Sequence, residues 1–291
     1  MEYILLAIAT LSYTAKAIAW KKIGSVNQSG ARLHLINAII FSISALVVIL
    51  FGIFTKSLVL PSFTSLWLGL LYSLFSTMTQ ILLIKAMGMG EASMTQLVYS
   101  LGILLPIGFG ALFLNEGISP MQIVGVLIVG LALFLIIQPK KNKAFRPLWL
   151  LFSLLSATGS GAIAIVQKIH QNSSVKHELQ IFVIISLLFS TVFSLLLYFF
   201  SPKKGCVKKE KMDIKFFTFL ALCGLCIGIL NLASSALTGL LPAVVQFPVY
   251  NIGSMILVGV FGYVIFKERL TKSQFLGFLL GCAAILLIGL F

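Results

Sequence analysis

Asn115-Glu116-Gly117-Ile118-Ser119-Pro120-Met121-Gln122-Ile123-Val124-Gly125 and Lys267-Glu268-Arg269-Leu270-Thr271-Lys272-Ser273-Gln274-Phe275-Leu276-Gly277 spell nearly the same segment twice, 152 residues apart. Glu, Ser or Thr, Gln and Gly recur in step. Each copy stands between one long apolar run and the next, so the chain reads as a five-span unit written twice, an internal symmetry on which many transporters are built. A second echo lies upstream. Ala86, Gln96, Tyr99 and Gly102 are answered by Ala236, Gln246, Tyr250 and Gly253, at spacings of 150 to 151 residues.

Around these segments the chain is 59% hydrophobic and 10% charged, with a mean hydropathy of +1.10. Too few polar side chains remain to cover a water-soluble surface. A helix needs about 20 apolar residues to cross the hydrocarbon layer, and ten such runs can be read: 3–23, 33–54, 64–86, 92–114, 120–138, 148–168, 179–200, 216–238, 242–266 and 271–291. They lack the in-out alternation of barrel strands, so helices are expected. The first run is expected to be a span and not a cleavable leader, because its charges follow the apolar stretch and do not precede it. The longest connection, 201–215, is a lysine-rich loop with no room for a separate domain. The expected units are therefore a first repeat at 1–138, a basic linker at 139–147 and a second repeat at 148–291.

In a soluble protein a net charge of +14 would suggest nucleic acid. Here the bases sit in loops: Lys140, Lys141, Lys143 and Arg146, then Lys203, Lys204, Lys208, Lys209, Lys211 and Lys215. They read as topology signals and as contacts to anionic lipid headgroups, with no nucleic-acid partner expected. Connections following odd-numbered spans hold seventeen of the twenty-one basic residues. By the positive-inside rule those connections are cytoplasmic and both termini lie outside.

Chemistry-bearing residues are sparse within the spans. The single Asp213, the six glutamates and the three histidines all fall at or beyond span ends, so no mid-membrane acid is present to relay protons. No paired acids or activated nucleophile suit an enzyme, and no catalytic residue, metal site or cofactor is read. Cys223 and Cys226 form a CxxC inside an apolar run without a neighbouring His, which is a poor metal pattern. Cys206 and Cys282 are isolated.

The chain resembles the drug/metabolite transporter superfamily, and within it the ten-span EamA-like branch, over essentially its whole length. The resemblance is carried by Lys85-Ala86-Met87-Gly88-Met89-Gly90-Glu91-Ala92-Ser93, by 114–125, and by Phe266 to Thr271 with Gln274 and Gly277. It implies an all-α integral membrane protein of ten transmembrane helices, arranged as two inverted five-helix repeats around a central cavity. It also implies alternating access, peripheral fifth and tenth helices, and small metabolites or drugs as cargo. Proteins of this family commonly keep both termini inside, against the charge count.

Polar residues inside the spans mark the expected cavity. Ser73, Ser76, Thr77 and Gln80 fall on one face of the third span; Gln96, Tyr99 and Ser100 do so in the fourth, and Gln246, Tyr250 and Asn251 answer them in the ninth. Tyr13, Thr158 and Asn231 join the set as midpoints of the first, sixth and eighth spans, which the family places around the cavity. Lys16 stands about five residues inside the end of the first span. It reads either as a snorkelling side chain or as a cavity cation for a carboxylate or phosphate. Pro106 and Pro248 are expected to kink corresponding spans, as gates or simply as tolerated prolines.

Glu116 and Glu268 are expected to fix turns and not to touch cargo. The small-residue pairs Gly224/Gly228 and Gly277/Gly281 serve packing within the bundle by default, a homodimer being the alternative. The expected function is a secondary transporter of small metabolites, with amino-acid-like, zwitterionic or anionic solutes favoured, in a bacterial inner or cytoplasmic membrane. A multidrug or organic-cation exporter is the rival reading, and a scaffold or accessory subunit without flux is the next.

Overall fold

The structure, a computed structural model, describes residues 2–25, 30–113, 119–137, 146–201, 214–241 and 243–290. Glu116 and Asn115 of the first motif, Cys206, and the loop lysines Lys140, Lys141, Lys143, Lys203, Lys204, Lys208, Lys209 and Lys211 lie outside the described residues, as does the Lys215 side chain.

Every apolar run becomes helix. The elements are α1 (Glu2–Ser25), α2 (Gly30–Thr55), α3 (Phe63–Met89), α4 (Ala92–Ser100), α5 (Leu104–Phe113), α6 (Pro120–Ile137), α7 (Pro147–Gln171), α8 (Leu179–Phe200), α9 (Ile214–Leu240), α10 (Ala243–Phe266) and α11 (Lys272–Leu290). No strand occurs among the described residues. Seven helical segments are each long and apolar enough to cross a membrane, and two further apolar stretches, Ile123–Ala132 and Gly253–Phe266, are shorter. Large apolar side chains such as Phe54, Leu60, Phe63 and Phe200 face outward, as lipid-facing surface requires when no water must be met.

The fourth apolar run is broken in two. A 3-10 turn at Leu101–Ile103 separates α4 from α5. Pro106 accounts for it: without an N–H, proline leaves the carbonyl four residues back unpaired, and the chain tightens into shorter-range bonds. The corresponding Pro248 leaves α10 continuous from Ala243 to Phe266; it stands near that helix's start, where few bonds precede it, and its side chain lies outside the described residues.

The second copy of the duplicated motif is a helix-joining device. Thr271 N donates to Gln274 Oε1 at 3.1 Å and Gln274 N donates to Thr271 Oγ1 at 3.2 Å, a reciprocal capping box opening α11. Lys267 turns the corner in the left-handed region at φ 52°. Glu268 then reaches across the molecule, accepting from Ala92 N, the first residue of α4, at 2.9 and 3.0 Å.

Packing places α1 at the centre, against α3, α9 and α10. Helices α3 and α7 pair, as do α2 and α8, while α6 and α11 pack chiefly on one another. Small residues permit the close crossings. A Cβ on Gly24 would stand 2.3 Å from Ile84 O, and one on Gly88 would stand 2.1 Å from Gly24 O. Gly224 and Gly228 face Ile43 and Ser44 of α2, and Gly281 faces Leu97. These small residues are therefore filled from within the chain.

The two ends of the bundle are fastened differently. At one, Lys21 Nζ meets Glu268 Oε1 at 3.0 Å and Arg146 donates to Met89 O at 2.6 Å. At the other, Glu178 accepts from Ser62 N and Oγ, both at 2.9 Å, and Ser65 Oγ lies 3.2 Å from His170 Nε2. Helix α1 thus ends where α7 begins, and α7 ends beside the start of α3.

Candidate functional site

A cavity of about 110 Å³ lies among α1, α3, the α4–α5 break, α7, α9 and α10. At roughly 10–15 Å³ per water on this measure, it has room for several waters or one small solute. From α1 it is lined by Tyr13, Lys16 and Trp20; from α7 by Ser160, Ile163 and Gln167, each 147 residues further on. From α3 come Ser76, Thr79 and Gln80, and from α9 their counterparts Ile227, Leu230 and Asn231, each 151 residues further on. Tyr99 and Ser100 of α4 are matched by Tyr250 and Asn251 of α10 at the same interval. Equivalent positions of both halves therefore face one space.

The residues at these positions differ between the halves. Tyr13, Lys16 and Trp20 answer to Ser160, Ile163 and Gln167, so one wall is aromatic and cationic where the other carries only uncharged groups. Tyr13 packs against Tyr250 with ring centroids 5.7 Å apart and against Tyr99 at 6.3 Å. Lys16 Nζ lies 4.0 Å from the Tyr13 ring centre and 4.5 Å from that of Trp20. Such cation–π contacts partly replace lost hydration. Lys16 is 6% exposed and makes no ion pair or hydrogen bond among the described residues. From α9 the groups interacting with it electrostatically are the Cys223 and Cys226 thiols and not carboxylates.

Several other polar groups at the cavity lack partners. Trp20 Nε1, Thr79 Oγ1 and Gln80 Nε2 are buried without a hydrogen bond. An unpaired buried donor costs about 1–3 kcal/mol, so three around one space is a specific observation. Elsewhere the lining is satisfied internally: Tyr72 donates to Asn231 Oδ1, Ser76 bonds Ser190 Oγ at 2.7 Å, and Gln167 Nε2 donates to Ser235 Oγ at 3.2 Å.

Of the residues singled out in the sequence, Tyr13, Lys16, Ser76, Gln80, Tyr99, Ser100, Asn231, Tyr250, Asn251 and Pro106 line the cavity. Thr158 does not. It is exposed and bonds back to Leu155 O at 2.9 Å, because two residues of helix rotate it roughly 200° from Ser160 on the cavity face. Thr77 turns toward α8 and Ser190 O. Gln96 is wholly buried and is not among the residues that line the cavity; its amide lies against Tyr13, which does line it. Gln246 lies in α10 with its side chain outside the described residues.

Sequence reasoning missed Trp20, Tyr72, Thr79, Ser160, Gln167 and Ser234. Trp20 was recoverable at i+4 from Lys16 and Thr79 at i+3 from Ser76; Ser160 and Gln167 follow by carrying Tyr13 and Trp20 through the repeat.

The sequence model of the EamA-like transporter family matches residues 1–138 and again 147–290. No curated protein matches the chain. Among solved structures, one described only as a crystal structure of a protein superposes with a TM-score of 0.69 over 99% of this chain and 96% of its own, at 16% identity. At that identity the likeness concerns the fold alone.

Proposed function

Because the chain belongs to the EamA-like transporter family, a family of small-molecule membrane transporters within the drug/metabolite superfamily, we propose that it is a ten-span secondary carrier of small amino-acid-like, zwitterionic or anionic metabolites. The observation that carries this reading is Lys16, a buried cation without an acid partner, in a cavity to which both halves contribute equivalent positions. A buried cation within a span costs up to about 2.5–3.5 kcal/mol on insertion scales, and a cargo carboxylate would offset that cost.

The two halves act as inverted repeats that rock about the cavity and open it to either side in turn. Opposed running of α1 and α7 supports this: α1 ends at the Lys21–Glu268 pair, and α7 ends at the other end of the bundle, beside Ser65. The membrane is a bacterial inner or cytoplasmic membrane, with the base-rich odd-numbered connections on the cytoplasmic side.

Proteoliposome flux of amino acids and small carboxylates tests the reading. Lys16→Ala abolishes flux of an anionic or zwitterionic cargo at normal expression; undiminished flux in that variant refutes the role of Lys16. A second reading, a multidrug or organic-cation exporter, draws support from the Tyr13, Tyr99 and Tyr250 rings, since aromatic clusters hold organic cations. Thermal stabilisation by choline but by no carboxylate would favour it.

A further inference from the structure

The groups around the cavity that lack partners are of one kind. Lys16 has three N–H donors and no acceptor; Trp20 Nε1 is a donor only; the Gln80 nitrogen is a donor; and the Thr79 hydroxyl can donate. No carboxylate lines the cavity among the described residues. A zwitterion would find donors for its carboxylate there but no anionic partner for its ammonium group. A ligand that brings acceptors and one negative charge satisfies these donors and cancels the only charged side chain that lines the cavity among the described residues.

Resting on the transporter reading, we infer that the cargo is a small monocarboxylate whose carboxylate is held by Lys16, Trp20, Thr79 and Gln80, and that the carrier exchanges one such anion for another. The exchange follows from charge balance. While Lys16 is protonated, the empty carrier swings with an uncompensated cation beside the Tyr13 and Trp20 rings, whereas the loaded carrier swings with cargo and lysine neutralised together. That charge slows the empty return by up to roughly sixtyfold to three-hundredfold relative to the loaded one. Counterflow is then fast and net efflux slow. No covalent step is involved.

The test uses the full chain in liposomes preloaded with radiolabelled lactate, alanine or choline, with the membrane potential clamped to zero. Lactate efflux is expected to rise about tenfold or more when unlabelled lactate is present outside, compared with cargo-free buffer. Lactate efflux that is equally fast into both buffers overturns the exchange while leaving the transporter reading intact. Alanine moved to the exclusion of lactate overturns the monoanion assignment alone. Choline as the only moving solute overturns this inference together with the anionic-cargo reading and favours the organic-cation exporter; no movement of any of the three overturns this inference.

Trp20→Phe supplies a readout that a merely structural role would not give. It keeps the ring beneath Lys16 and deletes only an N–H that has no partner in the empty protein. Thermal stability without lactate is expected to hold or rise, while the lactate concentration needed for half-maximal thermal shift increases severalfold. Loss of stability with unaltered lactate affinity would remove Trp20 from the site.

Discussion

Lys21 Nζ stands 3.0 Å from Glu268 Oε1, and the same carboxylate accepts from Ala92 N. Through this pair the end of α1, the start of α4 and the corner between α10 and α11 meet at one point. Lys21 also donates to Gly90 O, so cation and anion each pair with backbone at the α3–α4 turn. A carboxylate at the first N–H groups of a helix is favourable by charge as well as by hydrogen bonding.

Glu268→Ala is therefore expected to lower stability by about 1.5–3 kcal/mol, the range for hydrogen bonds to a charged group. Glu268→Gln keeps one acceptor for Ala92 N and should lose less. Thermal unfolding in detergent, with ligand binding followed in parallel, checks both. Equal stability of Glu268→Ala and the unmodified protein would show that the corner holds without the carboxylate.

Lys16→Met should have opposite effects on stability and flux. Removing a buried cation that has no acid partner relieves up to about 2.5–3.5 kcal/mol, so the thermal midpoint rises, while carboxylate-dependent stabilisation disappears. A lower midpoint would mean that the Tyr13 and Trp20 rings compensate Lys16 fully.

Glycine contacts beside the cavity can be tested as a contrast. A Cβ on Gly102 would fall 2.2 Å from Ala157 O, whereas one on Gly108, in the same interrupted span, meets nothing within 4 Å. Gly102→Ala is expected to force α7 away from the 3-10 turn at a cost of about 1–3 kcal/mol. Gly108→Ala should be neutral or stabilising, since alanine favours helix. Unfolding midpoints of the two variants, measured side by side, decide the matter.

Thr79 and Thr158 make a second contrast. Thr79→Val deletes an unpartnered hydroxyl at the cavity and should weaken cargo affinity roughly twofold to tenfold, the worth of one hydrogen bond. Thr158→Val alters an exposed residue on the outer face of α7 and should leave flux unchanged. Loss of flux in Thr158→Val alone would place the pathway outside the cavity.

Orientation is open to a direct measurement. Lys21, Arg146 and Glu268 converge on one end of the bundle, and the positive-inside rule puts the base-rich connections in the cytoplasm. A fluorescent protein that matures only in the cytoplasm, fused after Phe291, is expected to stay dark. A bright fusion would turn the molecule over and set the charge count aside.

The helices were legible because a membrane span leaves little choice: some twenty apolar residues in hydrocarbon must satisfy their own backbone, and only a helix does so within one segment. The capping box of Thr271 and Gln274 is likewise local, since both partners lie three residues apart. The partner of Glu268 is not. Nothing local connects it to Lys21 or to Ala92, which are distant in the chain and meet only when α1, α4 and α10 have packed.

The cavity divides along the same line. Tyr13, Lys16, Gln80, Tyr99 and Tyr250 stood out because polar groups are costly in apolar spans and because two of them recur in the repeat. Thr158 and Thr77 were placed there from sequence position, and helix rotation turned both away. Trp20 carried no polar signal of its own; it became part of the site only when the packing of α1 against α3 and α9 left its indole N–H without a partner beside Lys16. By itself the sequence determined the helices, their duplication and the family, because those follow from chain-local hydrophobicity and from similarity along the chain. Tertiary structure alone decided which faces meet, and so which donors remain unsatisfied, because a hydrogen bond between helices exists only once their crossing angles and distances are set.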